Sequence, residues 1–194
     1  MYRTLCRYQG DSTDLLTPDA RQIRLHANHN EYDQAALDSL QAVKQAVPEL
    51  MVAAGTVINP EGLARAAEAG VDFCVSPGLT ETLLRAAGEQ SVRLLPGVAS
   101  ASDIMLGMDH GLDIFKLFPA KAAGGLSLLK SFAGPFPEAR FCPTGGLDPD
   151  NFRDFLALPN VICCGGSWMV SESLVRDKQW NSIESLAREA MNYN

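Results

Sequence analysis

Short apolar runs alternate with amphipathic stretches along the chain from residue 50 to its end. Residues 51–54 are apolar on both alternating faces and stop at Gly55-Thr56; residues 71–75, 92–95, 114–118, 140–142 and 161–164 repeat the pattern. A run that is hydrophobic on both faces is a strand covered on both sides, as in a parallel sheet. The segments between these runs carry helical punctuation. Asn59, Pro60 and Glu61 open a helix that ends at Gly70, Thr80 opens one that Gly88 ends, and Ser100 or Ser102 caps one that ends at Gly111. Residues 126–132 form a fourth helix, Asp148 with Pro149 opens a fifth, and residues 180–191 form a last, amphipathic one.

Strand and helix in strict alternation predict an α/β protein with a parallel sheet. No GxGxxG follows any strand, so a (β/α)8 barrel fits better than a doubly wound sheet. The barrel needs two strands more than the six that start at residue 50. A helix over residues 32–47 precedes the first unit, and residues 22–27 alternate weakly as a seventh strand. Residues 1–20 hold no strand-like run, and residues 8–14 read as a loop or tail. The expectation is one domain over residues 1–194, a TIM barrel incomplete or divergent in residues 1–35.

In such a barrel the loops after the strands gather on one face, where the chemistry is done. Here they read Gly55-Thr56, Ser76-Pro77-Gly78, Pro96-Gly97, Phe118-Pro119, Pro143-Thr144-Gly145-Gly146 and Gly165-Gly166-Ser167. Glycine and proline also simply end strands; six such loops in phase point further. The last two are glycine-rich turns that let backbone N–H groups approach an anion, the usual phosphate position in barrel enzymes.

The fourth run, Ile114-Phe115-Lys116-Leu117-Phe118, contains a lysine. Strand alternation sets Ile114, Lys116 and Phe118 on one face, Phe115 and Leu117 on the other. A lysine there either snorkels to water or loses its proton and becomes a nucleophile able to form a Schiff base. Both readings stand on this segment alone.

Composition narrows the partners. The 194 residues carry 16 basic and 23 acidic side chains, a net charge of −7, with no basic run; nucleic acid is excluded as a partner. No stretch has the length of a membrane span, and the first residues lack the apolar core of a signal peptide. Cys6, Cys74, Cys142, Cys163 and Cys164 are odd in number, form no CxxC, and mostly lie in apolar runs. They read as reduced core thiols of a cytoplasmic protein, although adjacent Cys163-Cys164 could be redox-active. His26 and His29 lack companions at metal-ligand spacing.

The motifs Ala54-Gly55-Thr56-Val57, Ser76-Pro77-Gly78-Leu79-Thr80, Phe115-Lys116-Leu117-Phe118-Pro119-Ala120, Arg140-Phe141-Cys142-Pro143-Thr144-Gly145-Gly146 and Gly165-Gly166-Ser167-Trp168 resemble those of the 2-keto-3-deoxy-6-phosphogluconate (KDPG) aldolases. That family often also acts on 4-hydroxy-2-oxoglutarate (KHG). The likeness runs from about residue 36 to 190, roughly four-fifths of the chain. It implies a class I aldolase of the Entner–Doudoroff pathway, a carbon–carbon lyase that needs no metal and no cofactor, assembled as a homotrimer. It implies that Lys116 forms the Schiff base with the pyruvate moiety of a phosphorylated keto acid. Thr56, Pro77 and Phe118 would line the pyruvate site. Thr144, Gly145, Gly146, Gly166 and Ser167 would form the pocket wall and the phosphate end.

The departure lies upstream. The family carries a general acid/base Glu and a carboxylate-binding Arg on the strand before the helix that here contains Ala36-Leu37-Asp38. Counted back without gaps, those positions fall on Asn28 and Tyr32, which can neither shuttle a proton nor supply a positive charge at neutral pH. Alternatives therefore accompany the aldolase reading: a barrel that binds pyruvate or a phosphosugar, or assembles, with little turnover, and an aldolase for the 6-phosphogalactonate analogue.

Overall fold

The computed structural model describes residues 2–6, 22–28, 34–48, 50–90 and 92–191. In chain order the elements are β1 (Tyr2–Cys6), β2 (Gln22–Asn28), α1 (Gln34–Ala46), β3 (Val52–Gly55), α2 (Pro60–Glu68), β4 (Phe73–Val75), α3 (Glu81–Glu89), β5 (Arg93–Leu95), β6 (Gly97–Val98) and α4 (Ala101–Asp109). There follow β7 (Ile114–Leu117), α5 (Gly125–Phe132), β8 (Arg140–Pro143), α6 (Phe152–Leu156), a 3-10 turn (Trp168–Val170), α7 (Glu172–Arg176) and α8 (Trp180–Met191).

The strands β2 to β5 pair in chain order and in parallel, as do β6 to β8. Between the two sheets stands Pro96. It has no N–H to give a ladder, but its carbonyl accepts from Lys116 N at 2.8 Å, while the Leu95 carbonyl turns the other way to accept from Ser76 N at 3.2 Å. β5 and β6 thus act as one strand that hands its pairing from β4 to β7. Past β8, Val161 pairs in parallel with Phe141 and Gly165 with Thr144, which continues the wrap along residues 161–165. The result is the expected barrel-type succession of strand and helix.

Three expectations need correction. Residues 2–6 form a strand, where no strand was expected, and β1 runs antiparallel to β2 (Arg3 opposite Leu25) instead of adding a parallel barrel strand. β1 also lies against the 3-10 turn and α8; among the described residues no ladder joins it to residues 161–165. Gly88 does not end α3, which runs on to Glu89; the residue costs helix stability without forbidding it. Asp148 does not cap a helix: its Oδ1 accepts from Asp150 N and Asn151 N, each at 3.0 Å, and α6 begins only at Phe152. A short acidic side chain bonded to its own following amides makes a turn, the alternative use of the same chemistry.

Elsewhere the caps follow the residues. Asn59 Oδ1 accepts from Gly62 N at 2.8 Å and Thr80 Oγ1 from Leu83 N at 3.2 Å, and Ser100 with Asp103 forms a reciprocal capping box. Strand alternation then divides the core. Outward-facing Val52, Ala54, Cys74 and Leu94 pack with Leu63, Leu83 and Leu84 of α2 and α3. Outward-facing Val98, Phe115, Leu117 and Phe141 pack with Ile104, Leu129 and Phe132 of α4 and α5. Inside the barrel, Ala53, Phe73 and Val75 gather with Leu95, and Cys142, Ile162 and Cys163 gather with Ile114. Burial pushes the Cys74 thiol up to about 12, which leaves it an inert core group. No helix among the described residues is long and apolar enough to cross a membrane.

Phe141 is fully buried, stacked on Phe132 with ring centroids 5.8 Å apart and tilted against Phe115 at 6.2 Å. Phe141→Ala should cost about 3–5 kcal/mol of unfolding free energy, read as a lower urea midpoint at unchanged slope.

Candidate active site

The site is built at the carboxyl ends of the parallel strands. Lys116 lies on β7, level with Gly97 of β6 on one side and Cys142 of β8 on the other. Its neighbours Phe115 and Leu117 are fully buried toward the helices, so the pleat turns Lys116 to the interior of the barrel. The Nζ stands 4.2 Å from the centroid of the Phe118 ring. Among the described residues no carboxylate pairs with it. Burial holds its pKa below the ordinary lysine value, and the neighbouring Cys142 opposes that shift in part. The cost of stripping water from an ammonium, with only an aromatic face in return, favours the neutral amine.

Around this lysine stand the other candidates. Thr56 follows β3 in the left-handed region, with φ of 61°. A β-branched residue is strained there, and Val57 N, bonded to Val75 O at 3.0 Å, ties the turn to β4. Thr56 is half-buried, like Pro77, Phe118 and Thr144. Pro77 follows β4 and meets Gly97: a Cβ on Gly97 would overlap the carbonyl oxygen of Pro77. That close approach links the Thr56–Pro77 side of the mouth to the strand beside Lys116.

The opposite side is a pair of turns after β8 and residue 165. Thr144 Oγ1 donates to Cys142 O at 3.3 Å and lies 3.9 Å from Cys142 Sγ. Gly145 and Gly146 have φ of 100° and 77°, backbone that side-chain-bearing residues rarely adopt. The Gly145 carbonyl accepts from Lys121 N and the Gly146 carbonyl from Asn151 Nδ2, both at 3.1 Å. Gly165 pairs with Thr144 and leads into buried Gly166 and exposed Ser167, which opens the 3-10 turn. Among the described residues the N–H groups of Gly145, Gly146, Gly166 and Ser167 have no hydrogen-bond acceptor.

The candidates named from sequence thus lie at the same ends of neighbouring strands. Register and contact join Lys116, Phe118, Thr144 and Gly145, and they join Pro77 to Gly97; Thr56 is tied in through β4. Sequence reasoning missed Cys142 as the inward neighbour of Lys116, although alternation along Arg140-Phe141-Cys142 signals it. It also missed Gly97, which reads as mere punctuation until its contact with Pro77 is seen. Of the two positions where a family acid/base and arginine would fall, Asn28 ends β2 opposite Gly55, and Tyr32 lies outside the described residues.

A lysine with a lowered pKa on the inner face of a barrel-type sheet, ringed by strand-end turns, is the arrangement of a Schiff-base lyase. The sequence profile of the KDPG and KHG aldolases matches residues 31–186. The KHG/KDPG aldolase of Escherichia coli K12 is 51% identical over 158 residues, 81% of this chain and 74% of that protein. The 2-dehydro-3-deoxy-phosphogluconate aldolase of Pseudomonas aeruginosa is 50% identical over 172 residues, 89% of this chain and 76% of that one. The KDPG aldolase of Legionella pneumophila, solved with pyruvate captured as a covalent carbinolamine, superposes with a TM-score of 0.79. It is 40% identical and covers 84% of this chain and 78% of its own. The Zymomonas mobilis KDPG aldolase, solved with 3-phosphoglycerate, gives 0.77 at 42% identity, covering 88% and 78%. The chain belongs to the KDPG and KHG aldolase family.

Gly97→Ala should displace either the Pro77 turn or β6, because backbone cannot swing aside as a side chain can. A loss of more than about 2 kcal/mol in urea unfolding is expected. Gly88→Ala, with open space around it in α3, is the control and should gain about 0.5–1 kcal/mol.

Proposed function

We propose that this chain is a class I aldolase that cleaves KDPG to pyruvate and glyceraldehyde 3-phosphate through a Schiff base on Lys116, with KHG as a second substrate. The observation that carries the reading is the Lys116 amine itself: turned to the inner face of the sheet, half-buried, with its pKa lowered by burial and no carboxylate partner among the described residues. Identity of about half with proteins named as these aldolases supports it.

The neutral amine attacks the C2 ketone of the keto acid to give a carbinolamine, which loses water to an iminium. Loss of the C4 hydroxyl proton breaks the C3–C4 bond and releases the aldehyde. The bonding electrons flow into the iminium as an enamine, which is protonated at C3 and hydrolysed to free pyruvate. The iminium is the electron sink, so the sequence of steps calls on no metal or cofactor. In this reading Thr56 and Thr144 bond the oxygens of the keto acid while Pro77 and Phe118 wall the pyruvate pocket. The amides of Gly145, Gly146 and Gly166, with Ser167, hold the phosphate, and amides without an internal acceptor support that role.

We also place the enzyme in the cytoplasm as a homotrimer. Buried cysteines that form no disulfide (Cys74, Cys142, Cys163 and Cys164) support the first. Ile58, Met105 and Met108, exposed apolar side chains, supply surface for the second. Light scattering should return three times the 20.9 kDa of one chain; a monomer mass rejects the trimer.

A second reading keeps the imine and loses turnover, and Asn28 at the end of β2 favours it, since an amide cannot transfer the proton that cleavage requires. One experiment separates the two. Pyruvate followed by borohydride should add a reduced adduct to the peptide holding Lys116, and Lys116→Arg should abolish it, because guanidinium stays protonated. With the adduct formed, cleavage of KDPG at an ordinary enzymatic rate supports the aldolase. A rate roughly 10²–10⁴-fold lower supports the impaired barrel. Only the neutral amine attacks, so adduct formation should rise with pH and level off at a midpoint below that of an ordinary lysine. A midpoint at or above the ordinary value removes the desolvation account.

A further inference from the structure

We propose that Lys121 supplies the full positive charge at the phosphate end of the cleft and sets the preference for phosphorylated over unphosphorylated keto acids. The proposal rests on the phosphate placement given above. Its first support is position. The segment after β7 is laced to the glycine turn by two backbone bonds, Ala120 N to Thr144 O at 2.8 Å and Lys121 N to Gly145 O at 3.1 Å. Lys121 therefore cannot shift along the turn without breaking that lacing.

The second support is contact. The Lys121 stem occupies the space beside Gly146: a Cβ placed on that glycine would lie 2.7, 3.5 and 3.1 Å from Lys121 Cβ, Cγ and Cδ. The methylenes pack on the turn, which tethers the ammonium within one side chain's reach of it. The third support is charge. Lys121 is exposed and forms no ion pair among the described residues. The nearest acid in sequence to the turn, Asp148, has its Oδ1 committed to Asp150 N and Asn151 N. Lys116 becomes the imine and cannot serve the phosphate. Amides offer partial charges, whereas a phosphate monoester carries about −1.5 to −2 at neutral pH. In a chain with net charge −7, one unpaired ammonium at the turn decides whether such an anion is drawn in or repelled.

The test compares the wild type with Lys121→Met, which keeps the stem, and Lys121→Arg, which keeps the charge. The kcat/KM ratio for KDPG over its unphosphorylated analogue should fall about threefold to tenfold in Lys121→Met, the range of a partly solvated ion pair. It should recover in Lys121→Arg, and the deficit should shrink as salt rises. Inorganic phosphate, titrated by 31P NMR, should bind Lys121→Met more weakly by a similar factor. Equal phosphate titrations of wild type and Lys121→Met, or an unchanged substrate ratio, overturn the proposal. If neither protein cleaves KDPG, the aldolase reading is what fails, and the phosphate titration alone decides the role of Lys121.

Discussion

The burial of Phe115 and Leu117 governs the molecule. Both are fully enclosed between strand and helix, and removing either from that layer would cost several kcal/mol. A strand cannot turn two alternate residues outward without turning the one between them inward. The position of Lys116 is therefore not held by any bond of its own side chain but by the apolar side chains on either side of it. The helices that receive Phe115 and Leu117 thus hold the Lys116 amine in its half-buried place.

Most of the barrel is legible along the chain because the strands from β3 onward are short, largely apolar runs and α2, α3 and α4 carry their own start signals in Asn59, Thr80 and Ser100. What was not legible has physical causes. β1 is written in Tyr2-Arg3-Thr4-Leu5-Cys6, a polar-apolar mixture whose pairing partner is β2, so nothing local marks it as a strand or fixes its direction. Asp148 uses the same side-chain oxygen for a turn that other acidic residues use for a cap. Lys116, Phe118 and the glycine turns could be named from motif order. Cys142, Gly97 and Lys121 could not, since their importance lies in what crosses from one strand end to the next.

Backbone N–H groups add nothing to a protein's net charge, so an acidic chain can offer them to an acidic ligand without a counterion. In the proposed phosphate site left-handed Gly145 and Gly146, whose N–H groups have no acceptor among the described residues, would make that contact beside the Lys121 ammonium. Strain at Thr56 has the same character on the opposite rim: a hydroxyl is kept where the backbone would rather not hold it.

Pro96 separates more than two ladders. Among the described residues, the outer core of β3 to β5 and that of β6 to β8 are distinct clusters that share Leu79 and Leu112 at their margin. Lys116, Phe118 and both glycine turns belong to the later half. The two halves therefore pack their helices as separate units and meet at the strand ends, where the Pro96 carbonyl takes the Lys116 N–H and Gly97 meets Pro77.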